Sequence, residues 1–125
     1  MTSGLSLAKK NLSHVNLSWD DLTGADLHEA ILRNATLKET NLEGADLTDA
    51  DLADANLAGA SLRNATAAHA NLEGADLRDT DLTGTNLRGT RMAGCKLRDA
   101  ERALAELAGA MLGNAESDGA SGSHS

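Results

Sequence analysis

Leucine returns every fifth residue along most of this chain, from Leu7, Leu12 and Leu17 through Leu62, then at Leu72, Leu77, Leu82, Leu87 and Leu97. The series has 19 positions from 7 to 97, and only Ala67 and Met92 depart from Leu. A helix repeats near 3.6 residues and a strand at 2, so neither accounts for a pure period of five. A fixed period of this kind predicts a stacked repeat structure, in which each unit buries its apolar side against its neighbours.

The other four positions of each unit carry their own rules. Two residues before each central Leu stands a small residue: Ala at ten of the 18 positions from 10 to 95 and Thr at four, with Val15 and Cys95 also small. Small and Leu two residues apart share one face of an extended segment. Between them stands a polar residue, most often Asn or Asp. These are Asn11, Asn16, Asp21, Asp26, Asn41, Asp46, Asp51, Asn56, Asn71, Asp76, Asp81 and Asn86. Such side chains accept hydrogen bonds from nearby backbone N–H groups and fix turns. Two residues after the centre, 13 of 19 positions are Gly, Asn or Asp, the residues that most readily take positive φ. Each unit therefore reads as a very short strand followed by a corner, and a chain that turns alike every five residues must coil.

Runs such as Ala45-Asp46-Leu47, Ala50-Asp51-Leu52, Ala55-Asn56-Leu57 and Ala75-Asp76-Leu77 resemble the A(D/N)LXX motif of the pentapeptide-repeat family, over about residues 5 to 99. The resemblance implies an all-β solenoid: a right-handed quadrilateral β-helix of four units per coil, about five coils and roughly 22–25 Å long at a strand spacing near 4.8 Å. The expected organisation is a β-helix over 1–98, a C-terminal helix over 99–113 and a Gly/Ser-rich, disordered tail over 114–125. The helix follows from Ala100, Ala103, Leu104, Leu107, Ala108 and Met111, which repeat at helical spacing after the pentad fails at Arg102. Asp99 is the expected N-cap and Gly113 or Asn114 the terminator. The helix either caps the last coil or also forms a two-fold dimer, as the resemblance suggests, doubling the rod to about 50 Å.

Composition excludes several functions. The chain has 125 residues, no Phe, Tyr or Pro and a single Trp, so the interior is narrow and uniform. Its net charge of −8 disfavours nucleic acid as a partner. One cysteine, Cys95, precludes an intrachain disulfide, and neither a signal peptide nor a membrane-spanning run is visible, so the expected setting is cytoplasmic. There is no catalytic constellation and no phosphate loop. His14, His28, His69 and His124 show no metal-ligand spacing, and no cofactor is implied.

Function must then lie on the surface. Trp19, with Lys10, Val15 and Asp20, marks an irregular first coil; it either packs over the open end or stands out as a partner anchor. Ala67 predicts a loosely packed layer or a bend. Between Glu39 and Leu62 there are six acids and no base, whereas Arg88, Arg91, Lys96, Arg98 and Arg102 make the following end mildly basic. The primary expectation is a non-catalytic protein-interaction or scaffold module, with Trp19, Glu43, Asp46, Asp49, Asp51 and Asp54 as candidate partner-binding residues. The resemblance also implies an alternative: a DNA-mimicking binder of DNA gyrase or topoisomerase IV that protects against quinolones or topoisomerase-poisoning toxins, with the four Asp standing in for phosphates. Against it, the acids do not gather on one face, Arg33, Arg63, Arg78 and Arg88 interrupt them, and no outward loop is inserted among the coils.

Overall fold

A computed structural model describes residues 5–110 and 116–118; within the terminal helix, the side chains of Ala100, Arg102, Ala103 and Leu107 and those of 116–118 are not described. The five-residue unit closes into a coil of four. Every isolated bridge is parallel and joins residues 20 apart, from Ser6↔Asp26 to Asp76↔Lys96. The centres therefore fall into four columns. The first side carries Leu7, Leu27, Leu47, Ala67 and Leu87, and the second Leu12, Leu32, Leu52, Leu72 and Met92. The third carries Leu17, Leu37, Leu57, Leu77 and Leu97, and the fourth Leu22, Leu42, Leu62 and Leu82.

The hydrogen bonds explain why five residues suffice. In the unit around Leu47, the N–H groups of Asp46, Leu47 and Asp49 donate to the carbonyls of Ala25, Thr66 and Ala68 in the neighbouring coils. Ala50 N–H closes the corner onto Leu47 O at 3.0 Å. The remaining N–H, that of Thr48, donates to Asp46 Oδ1 at 2.9 Å. All five donors of the unit are thus satisfied without a helix or a long strand. All twelve Asn and Asp residues singled out before the centres make this same turn.

All 18 corner residues from Lys9 to Gly94 have positive φ. Seven are Gly, but Lys9, His14, Trp19, Glu29, Glu39 and His69 adopt it as well. A left-handed non-Gly residue costs roughly 1–2 kcal/mol in isolation. The coil imposes the conformation because a single relaxed corner would break the 20-residue register above and below it.

The interior is a column of Leu, Ala and Thr. From Leu22 to Leu97 every centre and every small site is buried, including Ala67 and Cys95. Bridges continue in register on both sides of Ala67, so the position makes no bend in the ladder. The buried hydroxyls are satisfied: Thr40, Thr80, Thr85 and Thr90 donate to Leu17, Leu57, Leu62 and Ala67 carbonyls at 2.7–3.0 Å. Cys95 Sγ lies 2.7 Å from Leu72 O in the same arrangement, and burial pushes its pKa up to about 12.

The C-terminal part differs from expectation in three ways. β1 (Lys96–Arg98) leads into α1 (Asp99–Leu107), which is shorter than 99–113. It stops because Gly109 turns to φ +88 and its carbonyl accepts from Gly89 N–H at 3.3 Å, tying the helix end to a corner of the coil. Met111, Gly113 and Asn114 lie outside the described residues. The N-cap is Arg98 rather than Asp99: Glu101 reaches back to the Arg98 N–H at 2.8 Å, half of a capping box, in which a carboxylate three residues on satisfies the cap's own donor. Asp99 and Glu101 then sit in the first turn, where the helix dipole favours them. Finally, part of the expected disordered tail is ordered: β2 (Glu116–Asp118) pairs in parallel with β1, Lys96↔Glu116. The step is again 20 residues, so after the helix the chain rejoins the ladder in register and covers the edge β1 would otherwise expose.

Candidate functional site

The coil distributes outward side chains over four sides and four corners, so nearness is set by steps of 20 residues rather than by sequence. The candidate acids do not converge. Glu43 lies on the fourth side, Asp46 on the first and Asp51 on the second, while Asp49 and Asp54 occupy two different corners. Several are already engaged. Asp46 and Asp51 each hold a turn N–H, and Asp51 accepts from Arg33 Nη1 at 3.0 Å. The Asp54 carboxylate folds over the Gly74 corner of the next coil. Arg63 and Arg78 pair with Asp81 and Asp76 at 3.4 and 2.8 Å. The pairing with Arg78 holds the Asp76 carboxyl below its ordinary range, and that with Asp51 raises Arg33.

Trp19 is 77% exposed on a corner of the first coil, at φ 68. The expectation that it packs over the coil end is not met among the described residues. Its backbone is nevertheless fixed, with its N–H donating to Lys38 O at 2.9 Å. The first coil is also the least closed: Leu5 is exposed, and Leu7, Leu12, Val15 and Leu17 are only half-buried against the core. An aromatic side chain on a fixed backbone, beside partly open apolar surface, is suited to seating a protein partner.

At the other end α1 faces inward. Ala105 is inaccessible, and Ala108 and Ala110 pack against the core. Leu104 is exposed.

One cluster was not foreseen. On the first side Asp26, His28 and Asp46 bring one donor atom each within 4.8 Å of one another. His28 Nδ1 lies 2.7 Å from Asp26 Oδ1; this hydrogen bond raises the His28 pKa and lowers that of Asp26. Histidine spacing alone gives no sign of it. The signal was the 20-residue separation of Asp26 and Asp46, which has meaning only once four units per coil are fixed.

Comparison with known proteins agrees with this geometry. The family "Pentapeptide repeats (8 copies)" matches over residues 11–49, 41–84 and 60–99. Among solved structures, a pentapeptide repeat protein of the Arabidopsis thaliana thylakoid lumen is 32% identical, over 82% of this chain and 74% of that one, with a TM-score of 0.62. One from the cyanobacterium Cyanothece 51142 is 34% identical over 78% of this chain and 86% of that one, TM-score 0.55. One from Nostoc PCC 7120 is 32% identical over 74% and 84%, TM-score 0.53. No curated protein matches the chain significantly.

Proposed function

Because the chain belongs to the pentapeptide-repeat family, we propose that it works as a rigid, non-catalytic protein-interaction module that seats a partner on its first coil. The observation that carries this reading is Trp19, held 77% exposed on a hydrogen-bonded corner next to the least closed apolar surface of the rod. The core supports it too. With centres and small sites filled by Leu, Ala and Thr, the coils leave outward side chains as the surface through which the module acts. We take the coil to be right-handed, as the family resemblance implies. The role we assign to α1 is a cap, which the burial of Ala105 supports; among the described residues of the helix, Leu104 is the exposed large apolar side chain a dimer could use. Sedimentation at 12.9 kDa is the result expected of the capped monomer.

The alternative of DNA mimicry toward gyrase or topoisomerase IV has less support. Its four Asp lie on two sides and two corners, and Arg33 neutralises Asp51.

The test compares wild-type protein with Trp19→Ser as bait in quantitative affinity capture from the source cell. A specific protein retained by the first and lost by the second, at unchanged circular dichroism, is the expected result. Equal retention by both baits would remove Trp19 as the anchor. Capture of nothing above an unrelated solenoid control would remove the interaction module itself.

A further inference from the structure

We propose that Asp26, His28 and Asp46 form a surface site for a divalent transition-metal ion of the zinc class, bridging the second and third coils on the first side. The repeat supplies the reason to single these residues out. In the column of polar residues before the centres, every other described Asp is stacked one coil away on Asn, Ser, Thr, Ile, Lys or nothing charged. Asp26 and Asp46 are direct bridge partners, acid on acid. Like charges stacked in this way repel, and among the described residues neither carboxylate has a Lys or Arg within ion-pair distance. Asp51, Asp76 and Asp81 do.

The geometry is prepared for an ion. In each Asp the Oδ1 atom is held by a turn N–H, at 3.1 Å from His28 N and 2.9 Å from Thr48 N. In Asp26 the same Oδ1 also faces the imidazole, with His28 Nδ1 at 2.7 Å, so the carboxylate is held beside the ring. The imidazole joins them, with all three donors within 4.8 Å. An ion with metal–ligand bonds of about 2.1 Å needs donors roughly 3.0–3.4 Å apart, which rotation of partly exposed side chains reaches. With Nδ1 turned toward Asp26, His28 Nε2 stands 4.0 Å from Glu29 Oε1. One imidazole with two carboxylates selects Zn²⁺, Co²⁺ or Ni²⁺ over Mg²⁺ or Ca²⁺.

The repeat also supplies variants that will fold. Asn replaces Asp at this place in six units, keeping the turn bond (Asn11, Asn16, Asn41, Asn56, Asn71, Asn86), and Ala occupies the His28 place at Ala53, Ala58, Ala68 and Ala93. The experiment is calorimetric titration of the full chain with Zn²⁺, and with Mg²⁺ in parallel, for wild type, Asp46→Asn, His28→Ala and a His14→Asn/His69→Asn/His124→Ala control, in which Asn takes the corner positions as it does at Asn34 and Asn64. We expect one Zn²⁺ per chain, at least tenfold weaker binding in Asp46→Asn and His28→Ala, unchanged binding in the control, and a shift of the His28 ring ¹⁵N signals on saturation. Absence of saturable binding by the wild type, undiminished binding by His28→Ala, or Mg²⁺ binding as tight as Zn²⁺ would overturn the proposal.

Discussion

Replacing Gly44 by Ala isolates the cost of a corner. Gly44 has φ +71, and a Cβ built there meets nothing within 4 Å, so the substitution adds backbone strain without a clash. The left-handed conformation costs an Ala about 1–2 kcal/mol. The less flexible unfolded chain offsets about 0.4–1 kcal/mol of that. The net expectation is a loss of about 1 kcal/mol, and about half as much for Gly44→Asn, whose side chain tolerates this region. Gly59→Ala should cost about the same as Gly44→Ala, because all that the added methyl meets is the tip of the exposed Glu39 side chain, which can swing aside, and the backbone strain at φ +74 is alike. Urea denaturation followed by circular dichroism measures all three, and an unchanged slope would show that only stability has moved. Gly44→Ala that leaves stability unchanged or raises it would refute the claim that the coil imposes positive φ. The sequence already leans the same way: none of the 18 corners is Ala, although Ala is frequent elsewhere in the unit.

Three further predictions follow from the core and the ion pairs. Leu47→Ala, at a 1% exposed centre, should destabilise by about 2–5 kcal/mol, which at about 4 °C per kcal/mol lowers Tm by about 8–20 °C. Leu12→Ala, in the half-buried first coil, should cost less than half as much, and equal losses would contradict the burial gradient. Cys95, buried and raised to about 12, should resist a thiol-specific reagent at pH 8 until the protein is unfolded; rapid labelling of the native protein would refute its placement. Asp76 is lowered from 3.8 chiefly by its hydrogen bond from Arg78, so the pair's contribution is complete above pH 3.8 and is lost as pH falls through the lower folded value. Arg78→Ala should move the Asp76 midpoint up toward 3.8 in a carboxyl NMR titration, and an unmoved midpoint would show that Arg78 is not the cause.

The sequence carried the ladder well because every unit repeats the same instruction. The Leu centres, the small sites and the twelve turn-forming Asn and Asp residues all occupy the places their chemistry demands. What was illegible was imposed from outside the unit. Glu39 and Trp19 have no preference for positive φ, and only the register of their neighbours puts them there. The helix cap lies one residue before Asp99 because Glu101 acts on the residue three before it, Arg98. β2 was hidden because the sequence Glu116-Ser117-Asp118 has no apolar pattern; its place follows from parallel pairing with β1. The exposure of Trp19 followed from its corner, but whether the terminal segment covered it was not encoded in spacing. The Asp26–His28–Asp46 cluster depends on two residues a full coil apart.

The central claim is that each pentad of the inner coils with Asn or Asp before its Leu spends four backbone N–H groups on the coil and one on that surface side chain. Residue-resolved amide hydrogen exchange tests it directly. In the second to fourth coils, the amides of Leu47, Asp49, Ala50 and Asp51 should exchange slowly, while those of Thr48 and Ala53, held only by Asp46 and Asp51 side chains, should exchange fast. Protection that dips once every five residues is the predicted result. Protection with a period near 3.6, or rapid exchange at the Leu centres, would contradict the account.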